Sequence, residues 1–278
     1  MTVEDDLPLD VGPLRERLVR DGRLVDWEHH ETIDSTNRRA AVLGREGLAG
    51  TVLVTAEHQS AGRGRQGRVW ESPAHRNFYG SFVLCPKVAQ AELAPITLVA
   101  ALAVSDAIAG IGLSDAAIKW PNDVLLGGRK VAGILTELDS SASGEFCVVV
   151  GIGVNLNLQQ EDFPPELRSK AGSLAWHGGR SVDRSDFVES LTQAFLDRVH
   201  AFEQGGFAGL RADYEQRHML QGEVVRVDGG EGYTGRVLGV DEAGALLLAT
   251  AQGQQAVHAG EVTLAGSYET LGGAVSKN

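Results

Sequence analysis

The sequence predicts an α+β protein, with a mixed sheet flanked by helices and followed by a small C-terminal unit of β-strands. Two observations predict this class. Apolar runs of strand length alternate with longer segments of helical period in the first three quarters of the chain, and from Gln221 short strands punctuated by glycine follow. We therefore expect a lead-in, a large domain, a small barrel and a tail, at residues 1–26, 27–219, 221–266 and 267–278.

The N-terminal elements are predicted from local patterns. The stretch LRERLV (14–19) predicts one short helix. The stretch TIDSTNRRAAVL (32–43) predicts the end of a strand and then a helix, with Ser35 or Thr36 as its N-cap. Two β-branched and aromatic runs, TVLVTAE and FYGSFVLC, predict strands at 51–57 and 78–85.

The middle and C-terminal elements follow in order. Pro95 opens a helix (95–109) that is apolar on all faces, which is typical of a core helix. Three apolar runs predict strands joined by hairpins: AAIKW, KVAGILTEL and FCVVVGIGVNLN. A helix-period stripe predicts a helix at 185–203, and a short one is expected around 207–217. The barrel strands are predicted in EVVRVD, YTGRVLGVD, GALLLAT and AVHAGEVTL.

The composition excludes several classes of protein. The 278 residues carry 37 acidic side chains against 25 Lys and Arg, a net charge of -12, which argues against general binding to nucleic acid or anionic membranes. The acidic N-terminus is not a signal peptide, so a cytoplasmic protein is expected. Cys85 and Cys147 stand alone on separate apolar runs without metal or redox spacing, and we expect two buried free thiols.

The loop GRGRQGR (62–68) gathers three arginines on flexible backbone in an otherwise acidic chain. Glycines allow backbone N–H groups to approach a ligand, and arginines bind carboxylate or phosphate in a bidentate manner. The loop lacks the G-K-[ST] ending of a Walker loop, and no helix signal follows, as a dinucleotide-binding loop requires. From its chemistry alone, it is either an anion-binding loop or a solvated turn.

Three further stretches carry polar residues beside apolar strands. In KWPNDVLLGGRKVAGILTEL (119–138), Lys119, Asn122, Asp123 and Lys130 cluster beside two apolar runs. A plain hairpin does not explain this clustering, although a lone lysine at such a position is more often solvated than functional. In GIGVNLN (151–157), the glycines indicate close approach of a ligand or a β-bulge, and the Asn in this apolar run needs a hydrogen-bond partner. A helix cap alone accounts for DSTN (34–37). No histidine or cysteine set has metal-ligand spacing.

Taken together and in this order, GRGRQGRVW, KWPNDV, RKVAGIL and GIGVNLN resemble the motifs of the biotin protein ligases. The resemblance covers roughly residues 30–200, and the C-terminal unit is similar to the SH3-like barrel of that family. The fold it implies is the catalytic domain shared with class II aminoacyl-tRNA synthetases. The implied substrates are biotin and ATP with Mg²⁺, and the implied partner is the biotin carboxyl carrier protein.

The resemblance implies two chemical steps. Biotin carboxylate attacks the α-phosphate of MgATP, giving biotinyl-5′-AMP and pyrophosphate. A lysine amine of the carrier protein then takes the biotinyl group and releases AMP. Arg, Lys and backbone donors suit this chemistry, because two anions must be brought together and charge on phosphorus must be neutralised.

The resemblance also assigns residues to roles. Those implied for biotin are Ser35, Thr36, Asn37, Gln59, Gly62, Arg63, Arg65, Lys130 and Gly151. Those implied for the nucleotide are Arg65, Arg68, Trp70, Asn122, Lys130 and Asn155. Lys130, Arg65 and Arg68 would stabilise the transition state, and Asp123 would accept a proton from the incoming lysine. No metal-binding residue is implied.

The chain departs from the family pattern in two places. Gln66 stands where many members carry a further arginine, so phosphate neutralisation would rest on its neighbours. The lead-in has no room for the DNA-binding domain of the repressor type, so we expect an enzyme without operator binding, as a monomer or homodimer. The alternatives are acyl transfer of the lipoate ligase or octanoyltransferase type, and a non-catalytic small-molecule sensor.

Overall fold

The structure is a computed structural model that describes residues 8–265, except 21, 23, 141–145 and 229–231. The predicted tail (267–278) and the first seven residues of the lead-in lie outside the described residues. The helices are α1 (Val11–Arg20), α2 (Thr36–Glu46), α3 (Ile96–Gly110), α4 (Leu174–Gly178), α5 (Arg184–Gly205) and α6 (Arg211–Arg217). The first seven strands are β1 (Leu24–Ile33), β2 (Thr51–Gln59), β3 (Phe78–Leu84), β4 (Ala117–Lys119), β5 (Asp123–Leu126), β6 (Arg129–Ser140) and β7 (Phe146–Val154).

These strands form one mixed sheet in the order β1-β2-β3-β7-β6-β5-β4. Strands β1 and β2 pair in parallel, and every other neighbouring pair is antiparallel. The predicted α+β class with a mixed sheet is confirmed. Strand β5 was not predicted, because its four residues lie inside the segment predicted as a connection. Gly127 and Gly128, both at positive φ, make the tight turn into β6.

The two faces of the sheet are covered differently. Helices α3 and α5 pack on one face, and their apolar side chains join those of β3, β6 and β7 in the main core. Helix α3 is buried on nearly all sides, as its uniform apolarity predicts. Helix α2 covers only part of the other face, through a small cluster that includes Ala40, Val83 and Val149. The glycine–arginine loop and Trp70 lie over another part of that face.

The C-terminal unit is a five-stranded antiparallel sheet in the order β11-β10-β9-β8-β12. Its strands are β8 (Val224–Asp228), β9 (Tyr233–Val240), β10 (Leu246–Thr250), β11 (Gly253–Val257) and β12 (Glu261–Leu264). Its core is continuous with that of the large unit, and Trp120 Nε1 donates to the Gly244 carbonyl at 3.0 Å. The predicted all-β C-terminal unit is confirmed.

The prediction of two free thiols is wrong, because Cys85 and Cys147 form a disulfide with a Cα–Cα distance of 4.2 Å. The antiparallel pairing of β3 with β7 places Leu84 opposite Val148, so Cys85, which follows Leu84, faces Cys147, which precedes Val148. Strand register is a long-range property, and two isolated cysteines on separate apolar runs give no sign of it.

None of the described helices combines the length and the apolarity needed to cross a membrane.

Candidate active site

A pocket lies on the face of the sheet that α2 leaves open. Its walls come from the start of α2, the end of β2, the glycine–arginine loop and strands β3, β6 and β7. Most of the predicted site residues line it: Ser35, Thr36, Asn37, Gln59, Arg63, Arg65, Trp70, Asn122, Lys130 and Gly151. Gly62, Arg68, Asp123 and Asn155 lie outside this lining. The structure therefore brings together segments more than 90 residues apart in the chain.

The floor of the pocket is backbone. Gly133 pairs with Gly153 across β6 and β7, and Gly151 pairs with Leu135. A Cβ atom at Gly151 would lie 2.0 Å from Asn37 Oδ1, and one at Gly153 would lie 2.5 Å from the Trp70 ring. Glycine is required here because side chains of α2 and of the loop lie directly on the strand backbone.

One end of the pocket is built from uncharged hydrogen-bonding groups. Gln59 Oε1 accepts from the Thr36 backbone N at 2.9 Å and from its hydroxyl at 3.2 Å. Ser81 Oγ donates to Asn37 Oδ1 at 2.6 Å and lies 2.7 Å from Thr36 Oγ1. Ser35 occupies the N-cap position of α2, but its side chain makes no capping bond. We call this the neutral end; it offers donors and acceptors fixed by one another.

The opposite end is cationic. Lys130 Nζ lies 2.6 Å from Asp123 Oδ1, and Arg65 Nη1 donates to Asn122 Oδ1 at 3.0 Å. Asn122 is itself held, because its Nδ2 donates to the Ile134 carbonyl at 3.0 Å. Burial of the Arg65 guanidinium lowers its pKa from the usual value. This cationic end suits a carboxylate or a phosphate.

Backbone bonds from outside the sheet fix the position of Lys130. Its N–H donates to the Lys170 carbonyl at 2.8 Å, and its own carbonyl accepts from the Gly172 N–H at 2.9 Å. Asn155 holds the same segment, because its Nδ2 donates to the Gly172 carbonyl at 3.0 Å. The structure thus shows an Asn155 satisfied within the protein, and its predicted contact with a nucleotide stays a prediction.

The glycine–arginine loop is a compact turn that sends its three arginines in different directions. Gly64 N–H donates to the Arg68 carbonyl at 2.7 Å, with Gln66 at a φ of 57° in between. Arg63 pairs with Glu137 of β6, Arg65 enters the pocket, and Arg68 pairs with Glu261 of the small unit. Arg68 is therefore outside the pocket here, and its predicted role toward phosphate stays a prediction.

Trp70 follows the loop and covers the floor glycines. Its ring centroid lies 5.4 Å from Lys130 Nζ, and its Nε1 has no hydrogen-bond partner among the described residues. Gly62 is small for a related reason, because a Cβ there would lie 2.4 Å from the Trp70 carbonyl oxygen. Trp70 thus offers a free buried donor and a flat apolar surface beside the cationic end.

Both units of the chain are similar to known proteins. Residues 30–155 match the biotin/lipoate A/B protein ligase family, and residues 222–264 match the biotin protein ligase C-terminal domain. A biotin–[acetyl-CoA-carboxylase] ligase of Paracoccus denitrificans is 41% identical over 239 residues, covering 84% of this chain and 98% of the relative. The chain belongs to the biotin protein ligase family.

Two more similarities agree with membership of the biotin protein ligase family. A biotin–[acetyl-CoA-carboxylase] ligase of Mycobacterium tuberculosis is 32% identical over 274 residues, covering 94% of this chain and 98% of the relative. The solved biotin protein ligase from Aquifex aeolicus in complex with biotin and ATP has a TM-score of 0.75 and 30% identity, covering 86% of this chain and 98% of that one. The predicted catalytic fold is confirmed by this similarity.

Several residues in and around the pocket of this biotin protein ligase family member were not among the predicted site residues. Ser81, Gly133 and Glu137 were not singled out in the sequence, whereas Gly153 was singled out with Gly151 but given no role at the site. Their signal was a polar or glycine residue inside an otherwise apolar strand, which could have singled out all except Glu137. Glu137 lies near the strand end, where an exposed acid is common, and only its contacts mark it.

Proposed function

We propose that the chain is an ATP-dependent biotin protein ligase. It would form biotinyl-5′-AMP from biotin and ATP, and then transfer biotin to a lysine of a biotin carboxyl carrier protein. The observation that carries this proposal is one pocket with a neutral end and a cationic end over a glycine floor. The neutral end suits the ureido ring of biotin, and the cationic end suits its carboxylate and the α-phosphate.

In the first step, a carboxylate oxygen of biotin attacks the α-phosphorus and pyrophosphate leaves. Both reactants are anions, so the groups that matter hold them close and neutralise the charge that develops. We propose Lys130 and Arg65 for this role, and their contacts with Asp123 at 2.6 Å and Asn122 at 3.0 Å support it. Residues 61–70 cover the pocket and would exclude water from the reactive acyl-adenylate.

In the second step, the carrier lysine amine attacks the acyl carbon, and AMP leaves with the bonding electrons. The amine must lose a proton, and Asp123 is the carboxylate beside Lys130 at this end of the pocket. We propose that Asp123 accepts that proton. The carrier protein is the partner that the names of the relatives support, since both are acetyl-CoA-carboxylase ligases.

We propose that Mg²⁺ arrives as MgATP, because phosphate oxygens and water are the ligands it prefers. The use of ATP supports the predicted cytoplasmic location. Binding of nucleic acid is not part of the proposal, and the choice between monomer and homodimer stays open as predicted.

Pyrophosphate release tests the proposal. The protein is mixed with ATP and either biotin or lipoate, and pyrophosphate is followed with a coupled assay. We expect release that depends on biotin and does not occur with lipoate. Release with lipoate alone would favour the lipoate ligase type, and tight binding of biotin without release would favour the sensor.

A further inference from the structure

A second cavity continues from the pocket beyond its neutral end. It is a groove between α2 and β6, and its lining includes Arg38, Arg45, Leu138 and Asp139. Asn37 and Arg63 line both the groove and the pocket, whereas Glu137 lines the groove. Asn37, Arg63 and Glu137 therefore form a partition between the pocket and the groove.

Glu137 holds the other two members of the partition. Its carboxylate accepts from Asn37 Nδ2 at 2.8 Å and takes both terminal nitrogens of Arg63, at 2.8 Å and 3.0 Å. Asn37 belongs to α2 and Arg63 to the glycine–arginine loop, so one carboxylate joins two walls of the pocket across β6. A fork of this kind fixes direction as well as distance.

The partition is continuous with the hydrogen bonds of the neutral end. Asn37 Nδ2 donates to Glu137 at 2.8 Å and to the Leu135 carbonyl at 3.3 Å, so its Oδ1 is turned toward Ser81. Ser81 is in contact with Thr36, and Thr36 donates to Gln59. The acceptor at position 137 thus helps to orient the Asn37 amide. That amide is the first group in the series of hydrogen bonds at the neutral end, which would contact a ligand.

The pair is poorly suited to a stabilising role. The side chains of Arg63 and Glu137 are 41% and 32% exposed, and ion pairs at such exposure contribute little to folding stability. Asp139 provides a comparison two residues further along the same strand face. It pairs with Arg45 at 2.6 Å in the same groove, which makes it a matched acidic residue for comparison with Glu137.

We propose that Glu137 is a positioning and specificity-determining residue, the end wall that limits the size of the ring system accepted at the neutral end. The inference rests on the proposed function, since it takes biotin as the ring-bearing substrate. Without the carboxylate, Arg63 is released from β6, and Asn37 Nδ2 keeps only its longer bond to the Leu135 carbonyl, at 3.3 Å. The pocket then opens into the groove. A substrate extended beyond its ureido ring would then fit.

The experiment compares Glu137→Ala, Glu137→Gln and Asp139→Ala with the unsubstituted protein. Each protein is assayed for pyrophosphate release with biotin and with its N1′-benzyl derivative, which extends the ureido ring. Direct binding of both compounds is measured by calorimetry, and thermal unfolding checks that each variant is folded. Glu137→Gln keeps the shape and an acceptor for Asn37 but loses the charge that holds Arg63.

For Glu137→Ala we expect a KM for biotin raised about tenfold with kcat nearly unchanged, because charge-assisted bonds that orient the site are lost. We also expect turnover of the benzyl derivative, which the unsubstituted protein rejects. Glu137→Gln should show a smaller rise in KM, and Asp139→Ala should match the unsubstituted protein.

An unchanged KM and continued rejection of the benzyl derivative by Glu137→Ala would overturn the inference, and so would equal changes in Asp139→Ala. If the unsubstituted protein releases pyrophosphate with biotin and Glu137→Ala shows one of these results, only the end-wall role of Glu137 fails. If the unsubstituted protein neither binds biotin nor releases pyrophosphate with it, the proposed function fails and takes the inference with it.

Discussion

The two ends of the pocket are held in place by different physical means. The neutral end is a set of buried, uncharged side chains that satisfy one another, with Thr36, Asn37 and Ser81 almost wholly buried. At the cationic end, Lys130 is partly exposed and faces a protein carboxylate, and Arg65 reaches its amide partner from a loop. One end is part of the folded core, and the other is completed by side chains that a bound anion can redirect.

This difference separates recognition from chemistry. Uncharged groups fixed by mutual hydrogen bonds discriminate well, because a ligand that fails to match leaves buried groups unpaired. Charged groups whose partners lie within the protein can shift toward a developing negative charge. We therefore expect substitutions at the neutral end to change affinity for biotin, and substitutions at the cationic end to change the rate of the chemical step.

The substitution with the largest expected effect removes a charge from the cationic end and leaves the neutral end unchanged. Lys130→Ala should lower the rate of adenylate formation by about 100- to 1000-fold, because a preorganised charge at the reacting phosphate is removed. Affinity for biotin should change by no more than about threefold, since the neutral end is untouched. Single-turnover pyrophosphate release and calorimetry measure the two quantities, with the exposed Lys87→Ala as control. Comparable loss of rate and affinity would contradict the separation.

The substitution with the next largest effect disturbs the neutral end by adding a side chain to the glycine floor of the pocket. In Gly151→Ala the new methyl group would overlap Asn37 Oδ1, at 2.0 Å, and push this amide out of its network. We expect affinity for biotin to fall at least about tenfold, corresponding to roughly 1.4 kcal/mol. Calorimetry measures the affinity. Gly209→Ala is the control, because a Cβ there meets no atom within 4 Å. Unchanged affinity would show that the network tolerates displacement.

A smaller effect sharpens the comparison within the cationic end. Arg65→Ala should let the adenylate escape roughly tenfold faster, since a charged contact inside the pocket is lost. Arg68→Ala should also speed escape, by about two- to threefold, because this side chain is 64% exposed and pairs with Glu261 instead. Dilution of a preformed complex into a trap of unlabelled biotin measures both. An equal or larger effect of Arg68→Ala would mean that the loop rearranges on binding.

His218 is remote from both ends of the pocket, and we expect it to affect folding stability at acid pH without affecting biotin binding. Burial lowers the pKa of His218 to about 4, and neither ring nitrogen has a hydrogen-bond partner in the described part of the chain. The unfolded state, with a pKa of about 6.5, binds the proton first as the pH falls. Stability is therefore complete above that pKa and falls by about 2 kcal/mol between pH 6.5 and pH 5.

Urea denaturation at pH 7 and pH 5 measures this loss, and His218→Phe should remove it while biotin binding at pH 7 stays unchanged. If the variant loses as much stability at pH 5 as the unsubstituted protein, other groups are responsible for the acid sensitivity.

The fold was predictable where the pattern is local. The uniform apolarity of α3 and the period of α5 gave both helices to within a few residues. Strand β5 was missed because three apolar residues after Asp123, between turn signals, are too few to distinguish from a connection. The disulfide was missed because it depends on the register of β3 against β7, which no local pattern encodes.

The candidate site was predictable where a motif stands out by its chemistry. Arginines on glycine-rich backbone and a lysine at a strand start are visible in the sequence, and Arg65 and Lys130 do line the pocket. The directions of the arginines were not predictable, since a turn with Gln66 at positive φ points them apart. Nor was Glu137, because its role depends on partners 74 and 100 residues away.

The disulfide between β3 and β7 also divides the pocket by chain topology. Its two cysteines, 62 residues apart in sequence, enclose α3 and strands β4 to β6, and so Asn122, Asp123 and Lys130. Helix α2 and strand β2, which carry most of the neutral end, lie outside this covalent ring. A ring of this length restricts the denatured ensemble by about 4 kcal/mol in the chain-entropy description. Asn122, Asp123 and Lys130 thus belong to a covalently closed loop, while Arg65 and most residues that would hold the substrate ring belong to the open chain before it.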